Sequence, residues 1–318
     1  EVHFDSYAGE SFYNDKMDRV VNELREKGLL VESDGAWVVD LEEWNMPPCL
    51  ILKSDGATLY ATRDIAAALY RMDTYNFDKC LYVVAYQQDL HFRQVFKVLE
   101  LMGYEWARDR MEHVAFGMIS FEGEALSTRR GNVVYLDDLL EQAQQKALGI
   151  IEEKSPGLQN KPEVARQVGV GAVVFFDLFN SRIKDIDFRW DRALNFDGET
   201  GPYVQYTHAR CTSVLKKGGD ISAEPDWTAL DNPEALALVK AIGLFPEAVR
   251  EAALRNEPSM VTRAATDIAK NYNKYYYEHR ILTENAGHSA ARLQLTRAAQ
   301  AAIRTGLWLV GIAAPQQM

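Results

Sequence analysis

The chain has 318 residues, 47% of them hydrophobic and 25% charged, with a formal net charge of −11. Domains of about 100 to 200 residues are usual, so the length predicts two cores. No apolar run reaches the ~20 residues of a membrane-spanning helix. The most apolar stretch, from Val168 to Phe176, is short and broken by Gly169 and Gly171, and no membrane partner is expected. Cys49, Cys80 and Cys211 are too widely spaced for a disulfide framework or a zinc site, which predicts a reducing, cytoplasmic setting and no bound metal. The sequence opens at Glu1 with no charged-then-apolar leader, so a piece of a longer protein without a targeting signal is expected.

The net charge argues against a nucleic-acid partner, whose electrostatic footprint is ordinarily basic. Its distribution matters more. Residues 191–318 hold 14 Lys+Arg against 14 Asp+Glu, so the whole acidic excess lies in residues 1–190, with 21 against 32.

In chain order, Phe12, Met17, Val20, Val21, Leu24 and Leu29 recur at helical spacing and predict a helix from Ser11 to Leu30, with Gly28 as its stop. Short apolar runs at 36–41, 49–52 and 58–61 predict antiparallel strands, the last two joined by a turn at Asp55-Gly56. Helical patterning returns over 63–75. Residues 80–85 (CLYVVA) are nearly all apolar, as in a strand covered on both faces, and a helix over 89–102 follows directly. Strand and helix form half of a doubly wound nucleotide-binding unit, whose ligands sit beyond the carboxyl ends of the strands; Gln87, Gln88 and His91 fall at that mouth. Residues 111–121 predict one more strand, turned at Glu122-Gly123 into a polar loop. Beyond Leu136 the pattern is helical, with helices near 137–154, 161–181, 200–217, 233–254, 259–281 and 288–310. The expected architecture is an α/β portion, residues 1–190, followed by an all-α bundle, residues 191–318.

Several segments carry candidate chemistry. The loop Ser127-Thr128-Arg129-Arg130-Gly131-Asn132 sets hydroxyls and guanidiniums just after a strand, where they could bind a triphosphate; a solvated surface loop has the same composition. In Thr58-Leu59-Tyr60-Ala61-Thr62-Arg63-Asp64, a strand is expected to end at Thr62 and Asp64 to open a helix. That carboxylate could cap the helix or bind a ligand. The segment Ala85-Tyr86-Gln87-Gln88-Asp89-Leu90-His91 places a lone histidine on an amphipathic helix, structural or functional. The segment Gly201-Pro202-Tyr203-Val204-Gln205-Tyr206-Thr207-His208-Ala209-Arg210 sets Tyr206 and Arg210 four apart on one helix face. Tyr272, Tyr275, Tyr276 and Tyr277 form a tyrosine stripe that mixes core and surface roles.

These segments, in this order, resemble the arginyl-tRNA synthetases of class I. Residues 126–132 resemble the arginyl form of the second class I signature, K-M-S-K-S, with Leu126 at the Met position, Thr128 at the second Lys position and Ala125 where the first Lys would stand. The resemblance implies the second half of a Rossmann-like catalytic domain with a stem-contact region, then a DALR-type anticodon-binding bundle. It implies Ser127, Thr128 and Arg129 as catalytic residues, and Tyr60, Asp64 and Gln88 as binding arginine. It further implies His91, Gly117, Met118, Ile119, Ser127 and Arg129 as meeting ATP, and Tyr203, Tyr206, Arg210 and the final Met318 as binding tRNA-Arg. ATP, with Mg2+ for which no ligand is assigned, is the implied co-substrate. The six histidines include no H-x-G-H pair, the first class I signature, which the family places before the residues matched here. The isolated chain is therefore expected to bind tRNA without catalysing the ligase reaction. Part of an arginine–tRNA ligase and a stand-alone, non-catalytic tRNA- or protein-binding relative both fit the sequence; oligomeric state is left open.

Overall fold

The computed structural model describes residues 3–125, 133–219 and 223–318. The chain forms two compact units, Glu1–Gly117 and Met118–Met318.

In the N-terminal unit a 3-10 helix, Glu10–Lys16, runs into helix α1, Met17–Glu26. Gly28 at φ +68 supplies the left-handed residue that ends such a helix. Three short antiparallel strands follow in the order β1 (Leu30–Ser33), β2 (Ala36–Val39), β3 (Cys49–Leu52). Asp34 and Gly35, at φ +50 and +76, make the tight turn between β1 and β2, an Asp-Gly hairpin that the expected strands, beginning at 36, did not include. The return strand expected at 58–61 shrinks to a single bridge, Leu52 to Thr58. Helix α2, Tyr60–Tyr75, begins four residues before Asp64, which therefore does not open it. Thr62 Oγ1 donates to the Ile51 carbonyl at 2.6 Å, so its hydroxyl serves β3 from within a helix. The alanine-rich stretch from Ile65 to Leu69 packs inward and overrides the strand-like composition before it.

Strand β4 (Cys80–Ala85), helix α3 (Asp89–Leu101), the short helix α4 (Trp106–Arg110) and strand β5 (Met111–Phe116) complete a β-α-β unit. β4 and β5 run parallel, from Cys80 opposite Met111 to Ala85 opposite Phe116. The core gathers Leu24, Ile51, Ile65, Val95 and Leu99, all fully buried, each contributing about 1.5–3 kcal/mol. Contrary to expectation, β4 is covered on one face only: Tyr82 is buried, while Leu81 and Val83 are exposed.

The C-terminal unit corrects the single strand expected over 111–121. The ladder with β4 ends at Phe116, and a separate strand β6, Ile119–Phe121, pairs antiparallel with β7 (Glu124–Ala125) and parallel with β8 (Ile186–Phe188). At the break the Met118 amide donates to the Asp185 carboxylate at 2.6 Å and its carbonyl accepts from the Ile186 amide at 2.9 Å. These bonds commit Met118 to the β8 side.

The remainder is helical: α5 (Leu136–Lys154), α6 (Lys161–Phe179), the short α7 (Trp190–Ala193), α8 (Gly201–Gly218), α9 (Pro233–Arg255), α10 (Ser259–Glu278) and α11 (Ala286–Leu309). The starts of α8, α9 and α11 are set by side-chain caps, Thr200 on the Tyr203 amide, Asn232 on Ala235 and Asn285 on His288. Helices α5 and α6 approach so closely that a Cβ on Gly169 would lie 2.6 Å from the Ala143 carbonyl. Among the described residues no helix is long and apolar enough to cross a membrane.

Candidate functional site

Two groups of the expected residues have a geometry that can do chemistry. The first lies at the mouth of the β4-α3-β5 unit. Asp64, one turn into α2, presents its carboxylate to His91, whose Nε2 lies 2.6 Å from Asp64 Oδ2. A carboxylate accepts, so Nε2 carries the proton, and the length is that of a charge-assisted bond. Tyr60 and Asp64 are four residues apart on α2 and share a face, with Tyr60 66% exposed. Arg63, next in sequence to Asp64, is drawn away from it. Its Nη1 pairs with Glu10 at 2.8 Å, and the guanidinium lies over the Tyr60 ring at 5.9 Å. Among the described residues the side-chain partner of Asp64 is therefore His91.

Gln88 is exposed in the turn that opens α3, three residues before His91. Behind this turn Phe92 is buried; its ring meets His91 edge-on at 5.3 Å and His113 at 4.7 Å. His113 Nε2 lies 3.0 Å from the Val84 carbonyl, which fixes β5 to β4 close to the mouth. The structure thus brings Asp64 and His91 together, with Tyr60 and Gln88 on the same two helix starts. His113 and Phe92 are the supports that periodicity alone did not reveal.

Of the residues expected at ATP, Gly117 is buried and Met118 and Ile119 are exposed. The main-chain groups of Met118 are already bonded, the amide to the Asp185 carboxylate and the carbonyl to the Ile186 amide of β8, which leaves its side chain for any ligand. Asp187 on β8 accepts from Ser120 Oγ at 2.9 Å and from the Gly123 amide at 2.8 Å, and these bonds hold its carboxyl below the usual range. Ser127, Thr128 and Arg129 lie outside the described residues. Among the described residues no three His, Cys, Asp or Glu side chains converge as metal ligands.

The second group is on α8 and α10. Arg210 donates from Nη1 to Asn273 Oδ1 at 2.6 Å, and Asn273 Nδ2 donates in turn to Thr207 Oγ1 at 2.8 Å. The guanidinium lies over two rings, Tyr206 at 4.9 Å and Tyr276 at 5.2 Å. Tyr206 and Tyr276 are about 40% exposed, so one edge of this cation–aromatic stack faces solvent. The tyrosine stripe divides: Tyr272 and Tyr275 are fully buried, Tyr276 joins Arg210, and Tyr277 is 86% exposed. Tyr203 packs part-buried against the helical core. Met318 is in a different place, packed with Trp190 and Phe196 against Ala147, Ile151 and Val168 of α5 and α6.

Sequence patterning missed what holds that tail. Gln205 Nε2 donates to the Ala313 and Gln167 carbonyls at 2.9 and 3.0 Å, and His208 Nδ1 donates to the Pro315 carbonyl at 2.9 Å. Both side chains are buried, and burial, reinforced by the charge of Arg304, holds His208 below the usual histidine range. A separate cavity of about 450 Å³, bounded by Phe176, Asn180, Arg192, Asn195 and Thr200, lies beside the start of α8 and contains none of the expected site residues.

Residues 2–190 match the family model described as tRNA synthetases class I (R), catalytic domain, and residues 204–318 match the DALR anticodon binding domain. The arginine–tRNA ligases of Alkaliphilus metalliredigens and Halothermothrix orenii are 53% and 54% identical over the whole chain, which spans 56% of the length of each. Among solved structures, the arginyl-tRNA synthetase of Thermus thermophilus is 31% identical with a TM-score of 0.86, over 96% of this chain and 58% of that one. The Plasmodium falciparum arginyl-tRNA synthetase, at 22% identity and a TM-score of 0.81 over 98% of this chain and 54% of that one, shares the fold. With the class I (R) catalytic match extending over more than half of its length, the chain belongs to the arginyl-tRNA synthetase family.

Proposed function

We propose that this chain is part of an arginine–tRNA ligase, which joins arginine to ATP as arginyl-adenylate with release of pyrophosphate and then passes the arginyl group to tRNA-Arg. Residues 1–190 serve as the catalytic portion and residues 191–318 as the anticodon-binding portion. The observation that carries this is the Asp64 carboxylate, part-exposed beside Tyr60 at a nucleotide-fold mouth, in a chain of this family. A guanidinium is planar and permanently charged, and it is matched by a carboxylate with an aromatic neighbour. Tyr60, Asp64 and Gln88 take the arginine side chain. His91, Gly117, Met118 and Ile119 border the nucleotide, and Ser127, Thr128 and Arg129 neutralise its phosphates as charge develops. Mg2+ arrives on the ATP phosphates and is given no ligands here. Tyr203, Tyr206, Arg210 and Met318 meet tRNA, with Tyr206 offering a ring on which an unstacked base can stack and Arg210 a charge for phosphate or a base edge.

The test is a titration of the chain with arginine and with citrulline, followed by nuclear magnetic resonance. Arginine binds weakly, at about millimolar dissociation constant, as a partial pocket should, and neutral citrulline does not. Equal binding of the two would remove Asp64 from the account. The chain alone supports no arginine-dependent exchange between ATP and pyrophosphate, with or without tRNA, because it has no H-x-G-H pair. Measurable exchange contradicts that part of the proposal.

A further inference from the structure

Asp64 is not free to turn toward a ligand in any direction, because one of its two oxygens is already taken. Oδ2 is held by His91 Nε2 at 2.6 Å, and Oδ1 has no hydrogen-bond partner among the described residues. The imidazole that holds it is itself fixed. It is 22% exposed, and its ring meets the face or edge of Phe92, which is buried between Tyr82 and His113. The bond joins the second turn of α2 to the first turn of α3, two elements 27 residues apart.

We infer that His91 is a positioning residue for arginine, which clamps Asp64 through Oδ2 so that Oδ1 points at the incoming guanidinium. This rests on the reading of Asp64 as an arginine ligand and goes beyond it by giving His91 a duty toward the amino acid in addition to its place beside the nucleotide. Two features favour a histidine over a stronger cation. An arginine or lysine partner would cancel the carboxylate charge permanently and compete with the substrate guanidinium. A histidine can hold the carboxylate through one N–H while leaving the anion available. The neighbouring Arg63 is meanwhile kept off Asp64 by Glu10 and the Tyr60 ring, so the charge stays unspent.

The inference separates His91 variants by whether they keep a donor. His91→Gln retains an N–H within reach of Asp64, and His91→Leu does not. Arginine affinity of the chain, measured by titration, should fall about tenfold or more in His91→Leu and return to within about threefold of the parent in His91→Gln, as expected for one hydrogen bond to a charged group. A purely structural role would instead be reported by thermal melting, which should be alike in the two variants. In the unmutated chain the His91 Nε2–H proton should give a resolved, slowly exchanging signal that is lost in Asp64→Ala, which removes the acceptor.

Arginine binding unchanged in His91→Leu overturns the inference alone, and so does equal weakening in both variants. If the unmutated chain binds no arginine while the Nε2–H signal is present, the arginine reading of the site falls and this inference falls with it.

Discussion

The two candidate sites solve opposite electrostatic problems with the same device. At the β4-α3-β5 mouth an anion, Asp64, is held by one donor and left with an open oxygen. On α8 and α10 a cation, Arg210, is held by one acceptor, Asn273, and left with its flank over two rings. Among the described residues no Lys, Arg, Asp or Glu of opposite charge pairs with either working group. The charge of the chain follows the same division, since the acidic excess lies wholly in residues 1–190, with the site proposed for a cation, and residues 191–318, with the site proposed for a polyanion, are neutral. A net charge of −11 is thus compatible with the proposed nucleic-acid binding, because whole-chain charge averages two surfaces proposed for different partners.

The largest expected effect breaks the first site. Asp64→Asn removes the charge while offering His91 only a neutral amide oxygen, so arginine affinity should fall by about 2 kcal/mol or more, some 30-fold, as read by titration. Next, Gly169→Ala should destabilise the C-terminal unit by about 1–3 kcal/mol, because its Cβ would meet Ala143 main chain that cannot give way. Thermal melting reads this directly, and arginine binding at the N-terminal site should be unaffected.

For the second site, Arg210→Ala should weaken tRNA-Arg binding by about 1–3 kcal/mol and reduce the dependence of log affinity on log salt by about one unit. Tyr206→Ala, which removes stacking but no charge, should weaken binding while preserving the salt slope. Binding unaffected by the two substitutions together would exclude α8 from the interface.

The smallest effect concerns pH. His208 is buried and neutral, donating from Nδ1 to Pro315 while Nε2 has no partner among the described residues. Its folded-state proton affinity is lowered, so as pH falls through about 6.5 the unfolded chain takes up a proton that the folded chain resists. Stability of the C-terminal unit should therefore decline from pH 7.5 to 5.5, and His208→Gln should flatten that decline. A melting temperature constant over this range, or falling equally in the variant, would contradict the assignment.

Much of this was legible in the sequence for physical reasons that act locally. The helices over 161–181, 233–254 and 288–310 were legible from apolar spacing, and the structure adds local signals at their starts, Pro162, Pro233 with its cap Asn232, and the cap Asn285. The Thr58 to Thr62 segment was misread because its composition suits a strand while the buried alanines after it commit Tyr60 onward to a helix. Strand β4 was misjudged because apolar composition does not say whether a second layer covers both faces. The pairings that make the sites, Asp64 with His91 and Arg210 with Asn273 and Tyr276, join residues 27 to 66 apart and leave no periodic trace. Family resemblance supplied Asp64, His91 and Arg210 as candidates, and packing adds the partners Asn273 and Tyr276.

The most direct test of the two-site account measures arginine and tRNA-Arg binding in parallel on the unmutated chain, Asp64→Asn and Arg210→Ala. The account predicts a crossed pattern, in which Asp64→Asn loses arginine and keeps tRNA while Arg210→Ala weakens tRNA and keeps arginine. Loss of both ligands in either variant, or of neither in both, would contradict it.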